Sequence, residues 1–198
     1  MPTGVHLRDV RKQLFEAAER VLLRDGPNAL TSRAVTTEAD VAKGVLHRYF
    51  TDFDDFLADL VRDRLARLAD QAALLRAAAG TRGVTENLID ALTELFDPVS
   101  LALTSLVFFR DELRTRLRRG NGLPILTEAR DMLKSYLSAE REQGRIAADA
   151  EVDSLSLSLI GAAHLLFAGR RQGTLPNDKE LETTVTTIMA DALQRRLL

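Results

Sequence analysis

The chain contains no cysteine and no tryptophan, and only 5% of its 198 residues are aromatic. The absence of cysteine excludes disulfides and thiolate metal sites. The most apolar stretch, 155–169, is too short to span a bilayer and includes Ser156, Ser158 and His164. The N-terminus lacks the apolar core of a secretory signal. We therefore expect a soluble cytoplasmic protein without a membrane partner.

Groups for catalysis are also scarce. The three histidines are scattered at His6, His47 and His164, and no glycine-rich phosphate loop or Ser-His-Asp order is present. The acidic run at 52–55 lacks the second aspartate-rich motif that a helical prenyl-transfer enzyme needs, so these acids are better explained by the start of a helix. We expect no enzyme, no metal and no cofactor.

The net charge of −2 is unlike that of a non-specific nucleic-acid binder, which is usually basic. The net charge does not exclude a site-specific binder, because DNA binding depends on the charge at the docking surface.

Helical spacing recurs throughout, and no strand-like alternation persists. We predict an all-α fold of about nine helices. Short helices are expected at about 31–37 and 41–49, a long helix after a Thr51-to-Asp54 capping box, and one helix from about 99 to 119. The predicted domains are a helix-turn-helix domain at 1–52 and a ligand-binding and dimerisation domain at 53–198.

The segment at 30–57, LTSRAVTTEADVAKGVLHRYFTDFDDFL, resembles the DNA-binding signature of the TetR family of transcriptional regulators. The resemblance proper covers about residues 7–57. The matching residues are Thr31, Val35, Ala39, Val41, Lys43, Gly44, Leu46, Tyr49 and Phe50. The resemblance implies an operator-binding domain followed by a helical domain that binds a small effector among helices 4 to 8.

The physical pattern predicts the same interface. Val35, Val41, Leu46 and Phe50 are spaced to pack on the first helix. The second short helix is then left with an outer face that fits a major groove. We predict base or phosphate contacts by Lys43, Val45, His47, Arg48 and Tyr49, and phosphate contacts by Thr31 and Arg33 at the start of the preceding helix.

Four positions depart from the family pattern. Asp40 stands where a turn glycine is usual, at some cost if the backbone is left-handed. Ala42 replaces a serine, so a helix cap of about 1 kcal/mol is lost unless Asp40 supplies it. His47 replaces a tyrosine, and Phe53 replaces a lysine. Because acids flank Phe53, we expect a phosphate contact to be missing there and the affinity for DNA to be modest.

The predicted effector residues lie on the middle helices. They are Phe96, Phe108, Phe109, Met132, Tyr136, His164 and Phe167. Arg110, Asp111 and His164 could supply polar groups to a mostly apolar pocket. Plain core packing is an equal alternative for the aromatic residues.

The last two helices, at about 152–170 and 179–196, are predicted to form a homodimer. An apolar stripe on the last helix comprises Leu181, Val185, Ile188, Met189 and Ala192. The helix before it is apolar on almost every side, which requires cover on every side. We expect a repressor released from a palindromic operator by a small apolar or aromatic ligand. The alternative is a helical ligand-binding or scaffold protein with lost or weak DNA binding.

Overall fold

A computed structural model describes the backbone of residues 4–117, 123–168 and 178–194, and the side chains of residues 10–117, 123–168 and 179–194. All regular structure in these ranges is helical, which confirms the predicted all-α class. The ten α-helices are α1 (Gly4–Asp25), α2 (Ser32–Glu38), α3 (Gly44–Tyr49), α4 (Phe53–Ala77), α5 (Val84–Leu95), α6 (Pro98–Phe109), α7 (Asp111–Leu117), α8 (Pro124–Glu142), α9 (Val152–Ala168) and α10 (Asp178–Gln194). A short 3-10 turn, Pro27–Ala29, follows α1.

The described residues therefore hold one helix more than predicted. The segment predicted as a single helix at about 99–119 breaks at Arg110, between α6 and α7. Asp111 and Glu112 lie in the first turn of α7, where their charges suit the helix dipole. Arg114 Nη1 donates to the Phe108 carbonyl oxygen at 3.1 Å, across the break. The predicted end of that helix, at 118–119, lies outside the described residues.

The capping box at the start of α4 forms one residue later than predicted. Asp52 Oδ1 accepts from the Asp55 backbone N–H at 2.8 Å, and Asp55 Oδ2 accepts from the Thr51 N–H at 3.0 Å. Asp52, rather than Thr51, is thus the capping residue. Aspartate is the stronger N-cap of the two, which explains the shift.

One compact unit comprises Met1–Arg64 and Ala102–Leu123. In it Val35, Leu46 and Phe50 are buried together with residues of α1, as predicted, whereas Val41 is half-buried. An aromatic cluster lies where α3 leads into α4. The Phe56 ring lies 5.1 Å from that of Phe50 and 5.7 Å from that of Phe15, centroid to centroid. These rings anchor the connection between α3 and α4 to the core of the unit.

The second compact unit comprises Leu65–Leu101 and Pro124–Leu198. Its core contains buried side chains from α5, α8, α9 and α10. The α10 stripe predicted to face a second subunit is largely buried here within the chain. Leu181, Val185, Met189 and Ala192 are 3%, 1%, 0% and 3% exposed, and Ile188 is half-buried against the same core. Periodicity identified the apolar face correctly, but its partner is the chain's own bundle.

Within the described residues, no single helix is long and apolar enough to cross a membrane, although α5 and α6 meet that criterion together as a bent pair. The functional division between 1–52 and 53–198 stays a prediction.

Candidate nucleic-acid interface

The first helix of the candidate interface, α2, is fixed at both ends. Thr31 is its N-cap, and the Thr31 hydroxyl accepts from the Ala34 N–H at 3.1 Å. Arg20 and Arg24 on α1 bind the Glu38 carboxylate at 2.8 and 2.7 Å. Hydrogen bonds from these two arginines hold the pKa of Glu38 below its usual range. Thr31 and Arg33 remain exposed at the open end of the helix.

The turn between α2 and α3 adopts the left-handed conformation that its sequence predicts. Asp40 has φ 52°, the only positive φ at a non-glycine among the described residues. The Asp40 and Val41 N–H groups donate to the Thr37 and Thr36 carbonyls at 3.1 and 3.0 Å. Because the backbone is committed to this turn, α3 begins at Gly44 instead of near Val41.

The recognition helix α3 has one buried face and one exposed face. Leu46 is fully buried, and Phe50, directly after the helix, is 3% exposed. Lys43, His47 and Arg48 are exposed. Neither Lys43 nor Arg48 forms an ion pair with any of the described side chains. Val45 and Tyr49 are half-buried at the margin of this face. None of the described side chains caps α3, so the cap expected to be lost at Ala42 is not replaced by Asp40.

The acids at the start of α4 are paired with arginines. Asp52 Oδ2 lies 2.7 Å from Arg116 Nη2, and Asp54 Oδ1 lies 2.9 Å from Arg110 Nη2. Phe53 is half-buried and stacks on Phe56 at 5.6 Å. The missing lysine contact at Phe53 stays a prediction. The arginines offset part of the negative charge that was expected to repel phosphate. The arginine-rich stretch and the acidic run are both visible in the sequence, but their pairing is not predicted by any local pattern.

The predicted effector residues divide between the two units. Phe96, His164 and Phe167 lie together, with the Phe96 ring 5.9 Å from His164 and 5.5 Å from Phe167. Burial lowers the pKa of His164, which favours the neutral imidazole. Phe108 and Phe109 belong to the other unit, where their rings are 5.1 Å apart and 52% and 81% exposed.

Tyr136 and Met132 are buried on α8 in the second unit. The Tyr136 hydroxyl accepts from Asn87 Nδ2 at 3.1 Å, and burial raises the Tyr136 pKa. An open cavity of about 210 Å³ lies beside Met132. It is lined by Gln71, Leu74, Leu75, Ala78, Arg82, Asn87, Asp90, Ala91, Glu94 and Met132. Met132 is the only predicted effector residue in this lining, and no sequence pattern singled out the others.

Comparison with known proteins identifies the N-terminal segment. Residues 14–60 match the sequence profile of bacterial regulatory proteins of the tetR family. An uncharacterized HTH-type transcriptional regulator of Haemophilus influenzae is 37% identical over 49 residues, which are 25% of this chain and 26% of that protein. The matched segment is thus about a quarter of that relative's length.

Solved structures extend the similarity to the whole fold. A TetR transcription regulator from Haloarcula marismortui is 22% identical and has a TM-score of 0.67, with 93% of this chain and 97% of that one covered. The transcriptional regulator FadR from Bacillus subtilis, solved in complex with stearoyl-CoA, is 16% identical with a TM-score of 0.64, over 93% and 98% of the two chains. Residues 14–60 thus match the tetR-family profile, and the chain as a whole shares the fold of solved TetR transcription regulators.

Proposed function

We propose that this protein is a non-enzymatic, cytoplasmic repressor that binds a palindromic operator as a homodimer and leaves it when a small effector binds. The observation that carries the proposal is the two-faced recognition helix α3. Leu46 anchors it to the core, while Lys43, His47 and Arg48 project from the opposite face. A major groove admits one such helix, and these side chains can reach base edges and phosphates.

The start of α2 supports the docking. Its first N–H groups and the exposed Arg33 suit a backbone phosphate, with Thr31 at the same end of the helix. Val45 and Tyr49, at the margin of the α3 face, would complete the contact with apolar surface and one hydroxyl. The alternative of a scaffold that has lost DNA binding was motivated by the acids near Phe53. Two of those acids are paired with arginines, so we favour the repressor.

The DNA contact is tested with a duplex that the wild-type protein selects from a random-sequence pool. If Arg48 contacts a base, Arg48→Ala is expected to weaken binding by about 1–3 kcal/mol. If Lys43 contacts a phosphate, Lys43→Ala is expected to reduce the salt slope, the dependence of the log binding constant on log salt concentration, by about one. Affinity is measured by fluorescence anisotropy at several salt concentrations. Lys134→Ala is the control, because it removes one positive charge from the other unit. Unchanged binding by the Lys43→Ala, Arg48→Ala double variant would show that α3 does not read DNA.

A homodimer is proposed because two half-sites of an operator require two recognition helices. With the α10 stripe buried, the surface we propose is the outer face of α9. Leu157 and Leu165 are 61% and 75% exposed there, with exposed Gly161 between them. The small glycine allows a second helix to approach closely, and the two leucines would be covered by it.

Leu165→Asp is expected to convert the dimer to monomers, because it would place a charge in an apolar interface that buries more than about 1,000 Å² in total. Sedimentation velocity at micromolar concentration measures the change. Leu74→Asp is a matched control, since Leu74 is 72% exposed on α4. A wild-type chain that sediments as a monomer, or a Leu165→Asp variant that stays dimeric, would contradict the proposed interface.

The effector is proposed to be a small apolar or aromatic molecule that binds in the second unit. The FadR structure contains stearoyl-CoA, whose acyl chain is apolar, and this supports an apolar effector for the present chain. The cavity beside Met132, at about 210 Å³, is smaller than the roughly 300–1,000 Å³ of typical ligand pockets, which favours a small effector.

To release DNA, the effector must bind the non-DNA state more tightly, and operator DNA must weaken effector binding by the same factor. A thermal-shift screen followed by titration with and without the selected duplex tests this reciprocity.

A further inference from the structure

The joint between the recognition helix and α4 is held by two arginines from outside the DNA-binding motif. We infer that Arg110 and Arg116 are positioning residues for DNA recognition, acting through Asp54 and Asp52. This inference rests on the proposed DNA binding. It concerns residues in a segment, 102–117, that the family signature does not include.

Asp52 is engaged on both carboxylate oxygens. Oδ1 caps α4 by accepting from the Asp55 N–H at 2.8 Å, and Oδ2 lies 2.7 Å from Arg116 Nη2. The Arg116 carbonyl in turn accepts from Arg62 Nη2 on α4 at 3.1 Å. Hydrogen bonds from the Asp55 N–H and from Arg116 lower the pKa of Asp52, so the carboxylate is ionised at neutral pH. The residue that caps α4 is therefore tied directly to α7.

Asp54 provides the second tie. Its Oδ1 atom is buried and lies 2.9 Å from Arg110 Nη2, in an ion pair without hydrogen-bond geometry. The guanidinium of Arg110 also lies 5.9 Å from the centre of the Phe53 ring, within cation–π range. Phe53 stacks on Phe56, which contacts Phe50. Phe53, which replaces the family's lysine, thus provides an aromatic ring that the Arg110 guanidinium contacts.

These ties bear on recognition because α3 and α4 are almost continuous. Only residues 50–52 separate Tyr49, the end of α3, from Phe53, the start of α4. Fixing the first turn of α4 therefore restricts the tilt of α3. In the competing explanation, Asp52 is only a helix-start acid that repels phosphate. The two explanations predict opposite changes in the affinity for DNA when the charge of Asp52 is removed.

Asp52→Asn separates them, since asparagine keeps the N-cap while losing the charge. We expect it to weaken binding to the selected duplex by about 2- to 5-fold, the range for a partly exposed ion pair. Arg116→Gln should have a similar effect, and the double variant should be no worse than either single variant, because both remove one interaction. The salt slope should stay unchanged in all three variants, since no phosphate contact is lost.

Arg114→Gln is the matched control. Arg114 lies on the same helix but pairs with Asp111 and the Phe108 carbonyl of its own segment. It should leave the affinity unchanged. Amide hydrogen exchange of Gly44–Tyr49 in free protein gives a second measurement without DNA: it should be faster in Asp52→Asn and Arg116→Gln than in wild type, but unchanged in Arg114→Gln.

Tighter or unchanged DNA binding by Asp52→Asn would overturn the inference. The inference would also be overturned if only Arg116→Gln lost affinity for DNA and its salt slope fell by about one, because Arg116 would then contact phosphate itself. If wild-type protein selects no duplex, the proposed function fails. Hydrogen exchange then decides the inference, and equal exchange of α3 in Asp52→Asn and wild type would overturn it.

Discussion

Phe56→Ala is expected to lower the free energy of unfolding of the first unit by about 3–5 kcal/mol, the range for deleting a buried aromatic side chain. Phe56 is fully buried, and its ring contacts those of Phe15, Phe50 and Phe53 at 5.7, 5.1 and 5.6 Å. The truncation would leave a cavity at the point where α3 leads into α4. Urea denaturation followed by circular dichroism measures the loss.

Phe109→Ala is the matched control, because it removes the same atoms from a side chain that is 81% exposed in the same unit. It should change the free energy of unfolding by less than about 0.5 kcal/mol. Equal losses in the two variants would show that Phe109 is covered in solution, by a second subunit or by an effector. A small loss in Phe56→Ala would contradict the assigned core.

The second large loss of stability is expected when a buried carboxylate loses its partner. Glu140 on α8 is 0% exposed, and its Oε1 atom accepts from the Gly80 N–H at 3.3 Å. Its Oε2 atom lies 3.2 Å from Arg145 Nε, and Arg145 also donates to the Arg82 carbonyl. Arg145→Ala should cost about 3–5 kcal/mol, because it leaves a buried charge without its cation.

Two variants check the cause of that loss. Glu140→Gln added to Arg145→Ala should recover part of the stability, since the buried group is then neutral. Lys134→Ala should cost less than about 1 kcal/mol, because the Lys134–Asp153 pair is 43% and 65% exposed. If Arg145→Ala is as mild as Lys134→Ala, or if Glu140→Gln worsens it, the buried pair is not what holds the α4–α5 turn to α8.

Local chemistry made the helices of the first unit predictable. The apolar spacing of Val35, Leu46 and Phe50 indicated which face of each short helix is buried, and the structure buries all three. Asp40, which replaces the turn glycine of the family pattern, has φ 52°. These features depend on neighbours within a few residues, which a sequence pattern records directly. Helix ends were less exact, because several adjacent polar side chains compete to cap the same N–H groups.

What the sequence by itself determined was the helical class, the two-faced short helix α3 and the tetR-family match at residues 14–60. Only the tertiary structure decided which surfaces meet. Periodicity marks the apolar face of α10, but it cannot tell whether the chain's own core or a second subunit covers that face, and Val185 and Met189 prove to be buried within the chain. Asp52 and Arg116 are 64 residues apart, so their ion pair depends on how α7 packs on α4. Contacts of this kind arise from the packing of distant segments, for which a single sequence carries no local signal.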